Sequence, residues 1–374
     1  MKHIINVVLN HFTNDSRVLK TANSLIQFGY KVTVVAIHKK GLVEKDTIGD
    51  LNVHRVKLVC PFSYRYRLIQ LFKHVEFTCR VLWRYRKVDI IHCNDLNTLP
   101  VGLLIKFFGK GVTVIYDCHE YETETNGLRG FEKKAKKLIE SLLIRFTDQV
   151  ITVSNSIANE YMRLYNISKP HLVLNSPKYI EQPKQNLFRK KLGIRDDQSI
   201  FLYQGGLNMG RGIELLLEAF SSFNTADNVL IFMGGGQLES LIKQKANKHK
   251  NIFFHPTVNI DVLLNYTCSA DYGVCFTEDT CLNHRYCLPN KIFEYMMAGL
   301  PVLISNLFEM KRLVEMEGVG IVAKENTVES FKEAVVSSLE QNYLAIQKNV
   351  FEARKRYCWE EQQKVLEGVY REYK

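Results

Sequence analysis

The sequence lacks an apolar run of the roughly 18 residues that a membrane-spanning helix requires. The apolar stretch 101–108, for example, is broken by Lys106 and followed shortly by Lys110. We therefore expect no spanning helix. Residues 1–6 have too short an apolar core for a secretory signal, and they are typical of an opening β-strand.

Cys-x-x-Cys pairs are also missing, although the sequence contains nine cysteines. An odd number of cysteines without an export signal predicts free thiols in a cytoplasmic protein. Four possible ligands, Cys275, Cys281, His284 and Cys287, lie close together, but their spacing does not match a zinc knuckle. We therefore predict neither a metal site nor a resident cofactor.

The chain has 374 residues, enough for two domains of roughly 150 residues each. Its net charge of +11 is unevenly distributed, because residues 1–175 contain 26 Lys and Arg against 15 Asp and Glu, whereas residues 176–374 contain 24 of each. An excess confined to the first half indicates that one face of the first domain meets an anionic partner.

Short β-branched runs alternate with helical stretches along the whole chain, which predicts mostly parallel sheets covered by helices. The segment 176–197 interrupts this order, with Pro177, Pro183 and no strong strand, and the alternation then restarts. We predict an α/β fold of two doubly wound domains, 1–175 and 176–355. A final helical segment, 356–374, is expected to pack back on the first domain. Ligands of such sheets bind beyond the carboxyl ends of the strands.

A glycine-rich loop, Gly-Gly-Leu-Asn-Met-Gly-Arg-Gly at 205–212, follows a predicted strand and opens a predicted helix. Its amides and the helix N-terminus suit an oxyanion, and Arg211 would add a full positive charge. The loop matches neither a P-loop nor a dinucleotide fingerprint. A tight turn with a surface arginine is the plain alternative. The triplet 234–236 follows the next strand, and it is equally compatible with a close approach to a ligand or with a flexible turn.

A second cluster, 286–301, joins a loop to a short predicted helix that ends at Gly299. Lys291 and Glu294 are three residues apart and therefore lie on one helical face near its N-terminus. Such pairs usually face solvent, but the apolar residues on both sides indicate that this pair points into a cavity.

These segments resemble the retaining glycosyltransferases of family 4, which have the two-domain GT-B fold. Residues 293–302 resemble the donor-site helix of that family, and 203–207 with Arg211 and Gly212 resemble its diphosphate loop. Segments 89–95 and 116–120 resemble the two acceptor-domain loops that line the cleft. The resemblance spans nearly the whole chain and implies two Rossmann-like domains facing a cleft.

The resemblance also implies roles for individual residues. Glu294 would accept hydrogen bonds from the ribose hydroxyls, and Arg211 would hold the donor diphosphate beside Gly205 and Gly206. His119 would donate to the hydroxyls of the reacting sugar and steady charge as the leaving group departs. The backbone amides that would contact the phosphate or the donor sugar belong to Cys287, Leu288 and Asn290.

Two positions depart from the family pattern. The family carries two glutamates eight residues apart, but Tyr286 stands at the earlier position and cannot carry a fixed charge at neutral pH. Glu278 is an alternative source of this carboxylate. An arginine common in the phosphate loop is replaced by Gly206, and Lys291 is a candidate to supply its charge. The sequence has no Asp-x-Asp motif, in agreement with a metal-independent reaction.

Acceptor contacts are predicted for polar residues at the ends of strands in the first domain. Asp15 and Arg17 precede or open a helix, and Asp15 could instead act only as its N-cap. Asn94 and Asp95 end a predicted strand. Glu120 follows His119, with Glu122 and Glu124 nearby, and a solvated acidic loop is the alternative for these three.

Much of the basic excess lies in two segments, 65–87, where aromatic residues are interleaved, and 129–145. Basic helices with interleaved aromatic residues suit an anionic membrane surface, although solvated faces would explain the same residues. Nucleic acid is not predicted as a partner, because no nucleic-acid-binding motif is present.

Together these features predict a cytoplasmic hexosyltransferase, peripheral on the inner face of the cell membrane. It would transfer a sugar with retention from a nucleotide-diphosphate donor, best matched by a UDP-sugar, to a surface glycan or a lipid-linked acceptor. The alternatives are a UDP-sugar 2-epimerase of the same fold and a non-catalytic nucleotide-sugar binder.

Overall fold

A computed structural model describes residues 1–59, 67–223 and 227–374, with only the backbone of Arg67 and Leu68. The described chain divides into two compact units. One consists of residues 1–173 together with 363–374, and the other of residues 174–362. Each unit contains one β-sheet flanked by α-helices. The predicted α/β class is confirmed. Among the described residues, no helix is both long and apolar enough to cross a membrane.

The described part of the first unit forms an eight-stranded sheet in the order β3-β4-β2-β1-β5-β6-β7-β8. Its strands are β1 (His3–Val7), β2 (Lys31–Ile37), β3 (Lys45–Ile48), β4 (Leu51–Val56), β5 (Ile90–Asn94), β6 (Thr113–Asp117), β7 (Gln149–Thr152) and β8 (His171–Leu172). Its helices are α1 (Ser16–Gln27), α2 (Arg67–Tyr85), α3 (Leu99–Phe108), α4 (Gly130–Leu143) and α5 (Asn155–Tyr165), with short 3₁₀ turns at Leu96–Thr98 and Ile144–Phe146.

The second unit has a six-stranded, fully parallel sheet in the order β11-β10-β9-β12-β13-β14. Its strands are β9 (Ser199–Gly206), β10 (Asn228–Gly235), β11 (Ile252–His255), β12 (Tyr272–Cys275), β13 (Val302–Ile304) and β14 (Gly320–Val322). Its helices are α6 (Leu187–Leu192), α7 (Ile213–Ser221), α8 (Glu239–Ala246), α9 (Ile260–Thr267), α10 (Leu282–Tyr286), α11 (Asn290–Met297), α12 (Phe308–Glu317), α13 (Val328–Glu340) and α14 (Tyr343–Arg356). The last helix, α15 (Trp359–Arg371), begins in this unit and ends in the first.

Strand β3 is the one described strand that the alternation of apolar runs did not predict. Its sequence is Lys-Asp-Thr-Ile, its residues are mostly exposed, and it pairs antiparallel with β4 at the edge of the sheet. A polar edge strand carries no apolar run to mark it, and its charges discourage pairing with another chain.

Each sheet reverses its direction of growth next to its first strand. In the first unit the chain proceeds from β1 to β2 and β4 on one side and then crosses to β5 on the other. In the second unit β10 and β11 lie on one side of β9, and β12 lies on the other. Ligands of parallel sheets bind beyond the carboxyl ends of the strands at such a reversal. The carboxyl ends of β1 with β5, and of β9 with β12, are therefore the two places to look for a site.

The core of the second unit depends on a close approach between β12 and α11. The ring of Tyr295 lies directly against Gly273, where a Cβ atom would come within 2.1 Å of Tyr295 Cγ. Tyr295 is fully buried, and its hydroxyl accepts a hydrogen bond from Gln204 N and donates one to Val274 O. The missing side chain at position 273 thus allows one tyrosine to join β9, β12 and α11.

We expect Gly273→Ala to destabilise the protein by about 1–3 kcal/mol, because the added methyl group overpacks a filled core. Gly368→Ala is the matched control, since a Cβ atom at this helical position meets nothing within 4 Å. That control should be neutral or slightly stabilising. Urea unfolding of both variants measures the difference, and equal midpoints would contradict this account of the packing.

Candidate active site

The glycine-rich loop after β9 is held in backbone conformations that favour glycine. Gly205, Gly210 and Gly212 have φ values of 115°, 79° and 68°. At Gly212, the N-cap of α7, a Cβ atom would also lie 2.8 Å from Phe276 O. The loop therefore passes close to the residue that follows β12, on the side of the sheet where the reversal occurs.

The glycines at 234–236 are explained by packing against this loop. A Cβ atom on Gly234 would lie 1.9 Å from Gly205 O, and one on Gly236 would lie 2.5 Å from Leu207 O. Leu207 N donates to Gly235 O at 3.0 Å. The triplet therefore supports the backbone of the 205–212 loop, a role that neither of the sequence-based interpretations included.

Gln204 fixes the orientation of Glu294. Its Nε2 donates to Glu294 Oε2, and its Oε1 accepts a hydrogen bond from Thr267 Oγ1 at 2.8 Å. Its backbone nitrogen is held by Tyr295 OH at 2.9 Å. Both ends of the Gln204 side chain are thus engaged, and the Glu294 carboxylate is held at the carboxyl end of β9.

Lys291 and Arg211 bring positive charge to the same end of the sheet. The Lys291 ammonium lies 3.7 Å from the centre of the Tyr203 ring, and its Nζ is 4.0 Å from the Cβ position of Gly205. Burial raises the pKa of the Cys275 thiol at the end of β12, Lys291 and Arg211 oppose that rise, and Glu294 adds to it. The charges of Lys291, Arg211 and Glu294 therefore all act on one buried thiol.

The remaining predicted donor residues lie on the chain between β12 and α11. Glu278 N donates to Gly210 O at 3.2 Å, which ties this half-buried residue to the glycine-rich loop. Tyr286 is the last residue of α10 and is half-buried. Cys287 and Leu288 form the connection to α11, which begins at the exposed Asn290. The donor roles of these residues stay predictions.

In the first unit, a buried carboxylate organises the carboxyl ends of the strands. Asp117, the last residue of β6, accepts two hydrogen bonds from Arg17, from Nε at 3.2 Å and from a terminal nitrogen at 2.7 Å. His92 Nε2 lies 3.3 Å from Asp117 Oδ2. Burial opposes ionisation, but Arg17 and His119 hold the pKa of Asp117 well below its usual range.

His119 lies between two carboxylates. Its Nδ1 is 3.3 Å from Asp95 Oδ1, and its Nε2 is 3.4 Å from Asp117 Oδ2 and 3.1 Å from Asn94 Oδ1. Burial alone would lower the pKa of His119, but Asp95 and Asp117 raise it above its ordinary value. The structure thus brings the predicted residues His119, Asn94 and Asp95 together with Asp117 at the ends of β5 and β6.

Asp95 has a strained backbone, with φ of 63°. Residues held in this region are found where the surrounding structure fixes them, often at functional sites. Asp95 N donates to Asp117 O at 3.0 Å, which holds the turn beside β6. Burial and the neighbouring Asp95 carboxylate raise the pKa of Glu122 well above its usual range, so Glu122 is protonated at neutral pH and hydrogen-bonds Asp95.

The other predicted acceptor residues are engaged within the fold or exposed. Asp15 caps α1, accepting from Val18 N at 3.1 Å and from Asn10 Nδ2 at 2.8 Å. Arg17 is only 4% exposed and also donates to Val173 O at 2.9 Å. Glu120 is exposed. Their contacts with an acceptor stay predictions, and the geometry shows that Arg17 reaches His119 through Asp117.

Sequence reasoning missed several residues that position the predicted ones: Gln204, Tyr295, His92 and Asp117. A signal was present for His92, a polar residue inside an apolar strand that the structure buries completely. Gln204 likewise ends an apolar run immediately before the glycine-rich loop.

Two family models match the chain, and their boundaries follow its two halves. Residues 16–176 match Glycosyltransferase Family 4, and residues 184–356 match Glycosyl transferases group 1. The chain belongs to this glycosyltransferase family. As a member, it is a nucleotide-sugar-dependent glycosyltransferase with the GT-B fold, and the expected family resemblance is confirmed.

Relatives of similar length share modest identity with the chain. An uncharacterized glycosyltransferase of Methanocaldococcus jannaschii is 28% identical, covering 94% of this chain and 92% of the relative. A chitobiosyldiphosphodolichol beta-mannosyltransferase of Kluyveromyces lactis is 22% identical over 85% of this chain and 78% of its own length. The HepE protein of Anabaena, solved with UDP-glucose, has a TM-score of 0.76 at 14% identity and full coverage of both chains, which shows the shared fold.

Because His119 can bind a proton, we expect the stability of the folded protein to depend on pH. Because the folded pKa lies above the unfolded value of about 6.5, this stabilisation is complete below pH 6.5 and is lost as the pH rises through the folded pKa. We expect the urea midpoint of the wild type to fall between pH 6 and pH 9 more steeply than that of His119→Asn, which binds no proton. Equal slopes would show that the carboxylates do not hold the ring protonated.

Proposed function

We propose that the protein transfers a hexose from a UDP-sugar, with retention of configuration, to a lipid-linked glycan. The observation that carries the donor half is the end of the second unit's sheet, where a glycine-rich loop, two cations and an oriented carboxylate meet. Support for UDP comes from the similarly folded HepE protein, which was solved with UDP-glucose.

The residues at this end of the sheet suit the departure of a nucleoside diphosphate as the leaving group. A nucleoside diphosphate leaves with developing negative charge, which preorganised donors stabilise most strongly in a site sheltered from water. Arg211 offers a forked set of donors, and Lys291, steadied on the Tyr203 ring, offers a second charge. The Glu294 carboxylate, oriented by Gln204, is an acceptor that can take hydrogen bonds from ribose hydroxyls. Glu278 is the proposed carboxylate in the place of the family's first glutamate.

The first unit is proposed to hold the acceptor and the reacting sugar. His119 lies between Asp95 and Asp117, which raise its pKa and so favour its protonated form near the ends of β5 and β6. A protonated imidazole can donate to sugar hydroxyls and stabilise the departing charge. Asp95, whose side chain is 44% exposed, is the carboxylate best placed to accept a hydrogen bond from an acceptor hydroxyl.

A lipid-linked acceptor is supported by an apolar and basic face of the first unit. The inward side of α4 is anchored by Glu140, which accepts hydrogen bonds from the hydroxyls of Tyr116, Tyr161 and Tyr165 at 2.6–2.8 Å. Its outward side exposes Phe131, Leu138 and Leu142, which are spaced seven and four residues apart and so form one stripe. We call these residues, with the adjoining Phe107, the α4 face.

Charge around the α4 face matches an anionic lipid surface. Arg129, Lys134 and Arg145 are exposed beside the stripe, whereas Lys133 and Lys137 pair with the buried Glu124. The adjoining helix α3 packs against both α4 and α2, and it exposes Phe107 at 80%. In the other predicted basic segment, Tyr64, Arg65 and Tyr66 lie outside the described residues. Each Lys or Arg near an anionic surface contributes roughly 1 kcal/mol.

Titration of UDP against the purified protein tests the donor site. We expect Arg211→Ala and Glu294→Ala each to weaken UDP binding by about tenfold to a hundredfold, because each removes a charge-assisted hydrogen bond of roughly 1.5–3 kcal/mol. Arg285→Ala is the matched control, since Arg285 is exposed and forms an ion pair with Asp279 at 2.8 Å. No UDP binding by the wild type, or equal losses in the control, would refute the assignment.

The reaction itself is distinguished by its products. A transferase incubated with a panel of nucleotide-sugars and no acceptor should slowly release free sugar of the donor's anomeric configuration, which NMR identifies. Conversion of the nucleotide-sugar into its 2-epimer would instead support the epimerase. Nucleotide binding without any turnover, even with membrane extract present, would leave only the non-catalytic binder.

Flotation with liposomes tests the α4 face. We expect binding to anionic vesicles at low salt, weak binding to neutral vesicles, and a severalfold loss in Phe107→Ser combined with Phe131→Ser. Phe308→Ser combined with Met316→Ser is the control, because both residues are more than half exposed on α12 of the other unit. Failure of the wild type on both kinds of vesicle would refute membrane docking.

A further inference from the structure

The first unit contains a polar cavity at the amino-terminal ends of its strands, the end opposite to His119. It has a volume of about 630 Å³ and lies at the amino-terminal ends of β1 and β2, where His3 and Lys31 begin these strands. The carboxyl end of β1 is four residues further on, which is roughly 13 Å away at the rise of a strand. The cavity is therefore distinct from the proposed acceptor site of the same unit.

The floor of the cavity is polar where a parallel sheet is normally apolar. His3 pairs in register with Lys31, and Thr33 pairs with Asn52. Residues two apart on a strand share a face, as do partners on neighbouring strands, so these four side chains and His54 lie on one face. Parallel sheets in doubly wound folds usually bury apolar residues on both faces. The polar residues in the floor of this cavity depart from that pattern.

Positive charge surrounds the floor. Lys31 borders it on β2, Lys45 on the edge strand β3, and Arg84 and Lys87 at the end of α2, and all four residues are exposed. The acidic residue among the lining side chains, Asp46, is bound to Arg55 at 2.9 Å. The cavity therefore presents four exposed cations, and the carboxylate among its described lining residues is already paired with Arg55.

Two histidines in the cavity feel this charge. Burial lowers the pKa of His3 and Lys31 lowers it further, although Asp89 opposes the change. Burial also lowers the pKa of His54, with contributions from Arg84 and Lys45 that Glu44 partly offsets. His54 Nδ1 lies 2.8 Å from Tyr85 OH, which fixes the ring in the wall. In both rings, burial and the surrounding cations outweigh the nearby carboxylates, so the pKa lies below its ordinary value.

We infer that this cavity binds a phosphate group, carried either by a soluble phosphorylated metabolite or by a lipid headgroup. Lys31, Lys45, Arg84 and Lys87 would neutralise the phosphate, while the ring nitrogens of His3 and His54 and the Thr33 hydroxyl would hydrogen-bond its oxygens. The volume of this cavity is within the usual range of small-molecule pockets. The cavity is larger than a bare phosphate, so it leaves room for the molecule that carries the phosphate. The site is separate from the donor and acceptor machinery and goes beyond the proposed transfer reaction.

Histidine NMR of the full chain tests the inference, with inorganic pyrophosphate as the soluble probe. A bound anion stabilises the protonated imidazole, so we expect saturating pyrophosphate to raise the pKa of His3 and His54 and to bind more tightly as the pH falls below about 7. The experiment is run in the Arg211→Ala, Lys291→Ala background, which removes pyrophosphate binding at the proposed donor site. The outcome is then independent of whether the donor proposal holds.

Paired variants identify the cavity as the site. Lys45→Gln combined with Arg84→Gln should weaken pyrophosphate binding at least about tenfold, because two charge-assisted contacts are lost. Lys40→Gln combined with Lys169→Gln removes the same charge from exposed positions that do not line the cavity, and binding should persist. Unchanged histidine titrations, or equal losses in the two pairs, would overturn the inference.

Vesicles separate the two sources of phosphate. If the ligand is a lipid headgroup, vesicles containing phosphatidic acid should shift the His3 and His54 resonances, whereas pure phosphatidylcholine vesicles should not. If the ligand is soluble, pyrophosphate shifts the resonances and neither vesicle does. A shift with neither pyrophosphate nor phosphatidic acid, or an equal shift with phosphatidylcholine, would overturn the inference as well.

Discussion

The ion pair between Arg17 and Asp117 is the interaction on which the first unit's binding edge depends. It joins the start of α1 to the end of β6, and the same guanidinium reaches the backbone that follows β8. A buried ion pair adds little to net stability, but it imposes geometry, because neither partner can be left alone in a low-dielectric interior. His92 and His119 are placed around this pair, and Asp117 acts together with Asp95 to raise the pKa of His119.

The second unit fixes the geometry of its binding edge by different means. Its binding edge is built from backbone packing, in which glycines at 234 and 236 allow one loop to lie against another. A tyrosine from α11 then fixes the residue before the loop. One unit therefore positions ionised side chains through a buried charge, whereas the other positions backbone amides through the absence of side chains.

The sequence was sufficient to predict the class of fold and the positions of most strands. Apolar runs such as 200–203 and 302–304 must be buried on both faces. They are therefore predicted as strands of a sheet that helices cover. The edge strand Lys45–Ile48 has no such run and could not be found. At the sites, the glycine-rich loop pointed to Arg211, the helical spacing at 291–294 pointed to Glu294, and the family resemblance pointed to His119. Their supports could not be predicted, because Gln204 and Glu294 are 90 positions apart in the sequence and meet only in the folded protein.

Gln204 has an implication for how this protein can change over evolution. Its side chain bridges Thr267 and Glu294, and its backbone depends on Tyr295, so four positions on three elements share one set of hydrogen bonds. A substitution at any of them alters the orientation of the carboxylate before any ligand arrives. These positions are therefore expected to vary together among descendants, and a change in nucleotide preference would need a coordinated step rather than a single replacement.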